Sequence, residues 1–237
     1  MRKVLFISCG VMLLCSAAFC QKGSSISRNA NSTTAGFFPL SVGNRWAYRI
    51  TILDSNGVKV SGPGKMEYDT IVGTENIGER TAYVMHTTVG YSVQPPAYFA
   101  YDPYGNLWSY ITPDRGKKQG YWTVFTAFGD TSEGAVDTFF VPALFGGASI
   151  TDTIQQIYHG EGPLPVPAGS FNIREYTYSI NSSFRTAFLE GNIDIIGTLS
   201  YARGVGKVKE MRFSNIKSSL FNTSGGIASE LVSYSVK

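Results

Sequence analysis

The sequence predicts an all-β fold, an antiparallel meander that curls into a curved sheet, half-barrel or barrel. Three observations predict it. Apolar and β-branched residues recur at period two in short runs, and Gly, Pro, Asn and Asp punctuate those runs. No sustained 3.6-residue apolar period occurs beyond the first 20 residues, so few or no helices are expected there.

Taken in order, the first strand is marked by Trp46, Tyr48, Ile50 and Ile52, which period two places on one face. Asp54, Ser55, Asn56 and Gly57 follow as a hairpin turn, because Asn-Gly tolerates positive φ. Further strands are predicted over residues 66–72, 81–89, 98–101, 107–111, 121–126, 138–141, 152–158, 171–180, 206–213 and 230–236. Tight turns are read at Asp102 to Asn106 and at Pro113, Asp114, Arg115 and Gly116. Residues 162–169 read as a Pro-rich loop, and residues 145–150 could be a strand or a connection between two layers.

The N-terminus has the three regions of a secretory signal: Arg2 and Lys3, an apolar run from Val4 to Leu14, then Ser16, Ala17 and Ala18. The run is short for a bilayer span, which needs about 20 apolar residues. Residues 1–20 are therefore read as a signal peptide, with Gln21 as the mature start and 21–36, rich in Ser, Thr, Asn and Gly, as a flexible linker. Residues 37–237 form the single β-rich domain. A lipid-anchored alternative needs a small residue before the acylated cysteine, and Cys20 follows the bulky Phe19; membrane association is expected only if the chain is lipidated.

Cleavage changes the chemistry. Cys9, Cys15 and Cys20 all lie in the signal, so the mature chain is expected to have no disulfide, thiol nucleophile or cysteine-bound metal. The full chain has 20 basic and 17 acidic residues, and loss of Arg2 and Lys3 leaves 18 against 17. A near-neutral body without basic clusters argues against nucleic acid as a partner. The pair Lys117 and Lys118 reads as a solvated turn.

Catalytic signals are sparse. His159 and Glu161 share a strand face at positions i and i+2 and could be two metal ligands, but no third is marked, so a polar strand end is the simpler reading. The other histidine, His86, lies within a strand. No Gly-x-Ser-x-Gly elbow and no phosphate-binding glycine loop occurs. Glu67, Asp69, Glu75, Glu175 and Glu190 could supply a carboxylate pair for glycoside hydrolysis, against the plainer reading of a solvated acidic face. No cofactor is predicted, and no catalytic or ligand-binding residue is assigned.

The 14 Tyr and 15 Phe residues leave three readings open. Exposed rings such as Trp108 and Tyr110 would stack on a glycan, inward rings would line an apolar cavity, or the rings would simply fill a β core. Asn31, Asn181 and Asn222 begin Asn-x-Ser/Thr triplets, which matter only where N-glycosylation operates.

Three blocks carry a resemblance. Phe37 to Tyr48 contains FPLSVGNRWAY, residues 166–171 read VPAGSF, and residues 201–208 read YARGVGKV. Pro39 and Gly43-Asn44 turn the chain into its first strand, Pro167 and Gly169 set a tight strand entry, and Gly204 and Gly206 suggest a bulge or close backbone approach. Together the blocks resemble a family of exported bacterial proteins of Bacteroidota-type lineages. The resemblance implies a cell-envelope location and a curved sheet similar to the periplasmic lipoprotein-carrier half-barrels. It carries over no catalytic residue and no activity.

The expectation is therefore an extracytoplasmic, non-enzymatic β domain, periplasmic, secreted or at the cell surface, that binds an apolar ligand, a glycan or an envelope protein. A carboxylate-based hydrolase and a structural or assembly subunit of the envelope are the alternatives.

Overall fold

The computed structural model describes residues 36–60, 62, 64–112, 120–128, 133–141, 148–185 and 190–237. The predicted signal, most of the linker, the Pro113 to Gly116 turn and Lys117-Lys118 lie outside the described residues.

Every regular element among the described residues is a strand: β1 (Arg45–Leu53), β2 (Lys65–Ile77), β3 (Arg80–Val89), β4 (Ser92–Val93), β5 (Ala97–Tyr101), β6 (Leu107–Ile111), β7 (Tyr121–Thr126), β8 (Glu133–Val141), β9 (Ala148–Val166), β10 (Gly169–Arg185), β11 (Glu190–Ala202), β12 (Gly206–Ser218) and β13 (Asn222–Ser235). They form one antiparallel sheet, in the order β7-β6-β5-β3-β2-β1-β13-β12-β11-β10-β9-β8, with β4 beside β3. Two meanders thus meet where β1 pairs with β13, Arg45 opposite Ser235. The sheet curls into a half-barrel.

Bulges supply much of that curl. Register shifts interrupt five strand pairs, at Ala47/Tyr48, Ile71/Gly73, Leu107/Trp108, Glu175/Tyr176 and Ser200/Tyr201. Each places one extra residue in a strand and so adds local twist and bend. Gly-aromatic pairs pin the register of the second meander. Tyr178 lies opposite Gly197, Phe184 opposite Gly191 and Phe213 opposite Gly226. In each pair the ring occupies the space a Cβ would need, so the glycine's missing side chain is filled by its partner.

The turns form as their chemistry requires. One carboxylate oxygen of Asp54 accepts the backbone N–H groups of Asn56 and Val58, and Gly57 takes a φ of +77°. Asp102 does the same for Tyr104 and Asn106. The predicted strands at 107–111 and 121–126 coincide with β6 and β7, and residues 148–150 belong to β9.

Two expectations are corrected. Residues 162–166 are strand rather than loop, since β9 continues to Val166 and pairs Pro163 with Asn172 and Pro165 with Ser170. Among the described residues, pairing of β8 along β9 stops at Gln156 and no strand pairs with β9 on that side beyond it, where a proline forfeits no ladder bond. The strand β11 was absent from the sequence expectation, because Gly191 and Gly197 weaken its pattern.

The core fills the concave side. Phe37, Phe38, Phe99, Leu107 and Phe128 pack with Tyr176, Tyr178, Leu199 and Tyr201, joining the two meanders. A second cluster holds Trp46, Tyr48, Ile71, Val205, Val208 and Leu231.

Candidate functional site

The three sequence blocks converge on one rim of the half-barrel. The Trp46 indole N–H donates to the Val205 carbonyl, and the Tyr48 hydroxyl donates to the Lys207 carbonyl at 3.0 Å. Phe38 stacks on Trp46 with ring centroids 5.3 Å apart. Gly206 has a φ of +107°, and a Cβ there would sit 3.2 Å from the Trp46 Nε1, the close approach anticipated from its sequence. The Ala168 N–H donates to the Leu231 carbonyl, which ties the VPAGSF block to β13. Buried Asn44 donates to the Pro39 carbonyl and accepts from the Lys237 N–H. These contacts close the seam between the chain's two ends, which is an architectural role.

Beside that seam the inward face carries charge. In β2, Glu67 lies opposite Tyr48 and Asp69 opposite Trp46, so both acids share the face of the core aromatics. In β12, the bulge opposite Ser200/Tyr201 leaves Val208 as the extra residue. Lys207 opposite Tyr201, Glu210 opposite Leu199 and Arg212 opposite Gly197 then also face inward.

Contacts join Lys207, Glu210 and Arg212 with Tyr48 and Tyr178, and charge interaction couples Lys207 to Asp69 and Glu67. Lys207 Nζ lies 3.0 Å from Glu210 Oε2 and 4.9 Å from the centroid of the Tyr48 ring. Glu210 Oε1 accepts the Tyr178 hydroxyl at 3.2 Å and has Arg212 Nη1 3.9 Å away. Asp69 Oδ1 accepts the Thr87 hydroxyl at 2.6 Å.

Neighbouring charges separate the proton affinities of the two buried carboxylates. Desolvation, then repulsion from Glu67, raises Asp69 to about 7. Desolvation would raise Glu210 too, but Lys207 and Arg212 override it and hold Glu210 at about 2. Lys207 is raised well above its ordinary value: burial opposes its charge, and Glu210 and Glu67 more than compensate. Burial, above all, pushes Tyr48 and Tyr178 up and Tyr201 to about 12. At neutral pH the face therefore presents an ammonium, a guanidinium, an ionised carboxylate and a carboxyl near its titration point.

A second polar knot holds the segment after β7. Arg174 ion-pairs with Glu161 at 2.6 Å, donates to the Phe128 carbonyl, and stacks over Phe37 and Tyr158. Gln156 donates to the Ala127 carbonyl. Glu161 is thus an anchor for Arg174, while exposed His159 pairs with the Thr177 hydroxyl at 2.6 Å. The two do not converge, and no group of three metal-ligating side chains forms among the described residues. His86, Glu75 and Glu190 are exposed, and Glu190 ion-pairs with Arg185.

Of the five acids singled out in the sequence, Glu67 and Asp69 are brought together, and Asp69 is 6 % exposed rather than on a solvated face. Sequence reading missed Lys207, Glu210 and Arg212. Their signal was four charges, Lys207, Lys209, Glu210 and Arg212, within six residues of a strand that follows a glycine-rich turn. The aromatics divide between faces: Tyr48, Tyr176 and Tyr201 point inward and are buried. Trp108 and Tyr110 point outward; Arg80 covers Trp108 at 4.4 Å, and Tyr110 packs between Tyr98 and Trp122.

The fold and face define a class: an all-β half-barrel whose concave side combines aromatic packing with a buried ionic network. No protein-family model matches the chain, and no curated protein matches it. Among solved structures, it is similar to a protein described as exported, with a YmcC-like fold, from Bacteroides fragilis, at 13 % identity over 85 % of this chain and 99 % of that one, TM-score 0.45. A protein described as a lipoprotein from Parabacteroides distasonis is similar at 13 % identity over 86 % and 100 % of the two chains, TM-score 0.43.

Proposed function

We propose that this protein is a non-enzymatic binding module of the cell envelope that receives the polar end of an amphiphilic ligand on its concave face. The single observation carrying this reading is the group Glu67, Asp69, Lys207, Glu210 and Arg212 on the core-facing side of β2 and β12. A β core is stable with apolar fillers alone, and an internal ion pair often stabilises no better than a hydrophobic pair of the same volume. Charges kept there fit recognition of a polar group, and the surrounding aromatic walls suit an apolar tail. The extracytoplasmic location belongs to the same proposal and rests on the signal read in residues 1–20.

Native mass spectrometry of the protein purified from its own envelope tests it. A co-purifying amphiphile is expected, retained by Arg212→Lys and lost from Arg212→Leu. A bare chain in both the wild type and Arg212→Lys overturns the reading.

One observation favours a carboxylate-based hydrolase as the second reading. Asp69 at about 7 and Glu210 at about 2 have the separated proton affinities that an acid and a carboxylate partner need. Turnover of a glycoside by the wild type, abolished in Asp69→Asn, would establish it over the binding module.

A further inference from the structure

The two rims of the half-barrel differ. One is occupied by the chain's own seam, where Phe38, Trp46 and Val205 meet. At the other, three connections follow one another along the sheet: β12 to β13, β1 to β2, and β3 to β4. Adjacent strands are about 4.8 Å apart, so these loops stand about 10 Å from one another. Each exposes large apolar side chains. Leu220 is 78 % exposed in the first, Val58 61 % in the second, and Tyr91 and Val93 107 % and 74 % in the third. The Gly90 N–H donates to the Met66 carbonyl and holds the third loop against β2.

Among the described residues, exposed lysines outnumber the acids of this rim, which are Asp54 and Glu190, and Glu190 is ion-paired with Arg185. Lys217, Lys59 and Lys65 lie in or beside the first two loops and are exposed. The nearby Asp54 carboxylate is engaged with the backbone of its own turn. Apolar tips beside a ring of lysines, with a tyrosine among them, match a bilayer interface: side chains enter the acyl boundary and ammonium groups meet phosphates.

We propose that this rim docks the protein onto a lipid surface bearing anionic headgroups, with Tyr91, Val93 and Leu220 entering the interface and Lys59, Lys65 and Lys217 facing the headgroups. Docking requires neither the concave network nor a ligand within it.

Co-sedimentation of the processed protein with phosphatidylglycerol–phosphatidylcholine vesicles, against phosphatidylcholine alone, tests the proposal. Wild type is expected to bind the anionic vesicles at least tenfold more tightly. Tyr91→Ser/Val93→Ser/Leu220→Ser is expected to lose at least tenfold. Each lysine replaced by Gln should lose about fivefold, with a smaller effect at high salt. A polarity-sensitive fluorophore on Leu220→Cys should shift to the blue on anionic vesicles. The same label on Tyr104→Cys, at the opposite rim, should not shift. Equal binding to both vesicle types, no binding to either, an unmoved label at position 220, or self-association that the triple serine variant abolishes would each overturn the proposal.

Discussion

Asp69→Asn is expected to raise stability above pH 7 and to leave it unchanged near pH 4. The carboxyl is buried, faces Glu67, and is displaced from 3.8 to about 7, by desolvation first and by Glu67 second. Between those two values the folded state holds a proton that the unfolded chain has released. Stability therefore falls as pH climbs from about 4 to about 7 and is level above that. One proton across one pH unit is worth about 1.4 kcal/mol, so the full displacement amounts to about 4 kcal/mol at pH 8. Asparagine keeps the size of the side chain and an acceptor for the Thr87 hydroxyl, 2.6 Å away, and it does not titrate. Urea unfolding at intervals from pH 4 to 9 measures the effect. The difference between variant and wild type should grow from near zero at pH 4 to about 4 kcal/mol at pH 8. Parallel pH profiles, or a variant less stable than wild type at pH 8, would refute the claim that this carboxyl is desolvated without sufficient compensation.

Glu210 acts in the opposite sense. Its carboxylate is held at about 2 against an ordinary 4.5, so the stability it lends is fully present above about 4.5 and is lost as pH falls towards 2. Glu210→Gln should cost about 3 kcal/mol at pH 7 and converge with wild type near pH 2 in the same titration. Gly226→Ala should lower stability by about 2 kcal/mol in thermal unfolding, since its Cβ would sit 2.7 Å from the Arg212 carbonyl oxygen, a backbone atom that cannot swing aside. Gly73→Ala has nothing within 4 Å and should be near neutral. Trp46→Phe removes the donor to the buried Val205 carbonyl and should cost about 2 kcal/mol by denaturant titration.

Much of the strand pattern was legible because period two and turn chemistry are local. Trp46, Tyr48 and Ile50 are buried on one face, and β6 and β7 begin and end where alternation and turn residues place them. Ile52 shares that alternation yet is 49 % exposed, while Leu53 beside it on the other face is buried. The strand β11 was not legible, since the rings of Phe184 and Tyr178 that compensate Gly191 and Gly197 belong to another strand. The prolines of β9 read as a loop because no local signal says which edge of a strand lacks a neighbour.

The candidate site was half legible. Glu67 and Asp69 could be placed on one strand face, but whether that face meets water or the core depends on the pairing of β2 with β1. Lys207 stood within a recognisable block without a visible role. Its inward direction is set by the bulge opposite Tyr201, and its charge is held by Glu210, three residues on along the same strand.

By itself the sequence determined the all-β class and the chemistry of turns at Asp54, Gly57 and Asp102, all of which rest on interactions within a few residues. The tertiary structure alone decided that β1 meets β13, that Trp46 and Tyr48 reach carbonyls 159 residues away, and that five ionisable side chains share the concave face. Those outcomes depend on register and bulges. Shifting a strand by one residue reverses every side chain on it, and only contacts between distant segments fix which of the two faces is buried.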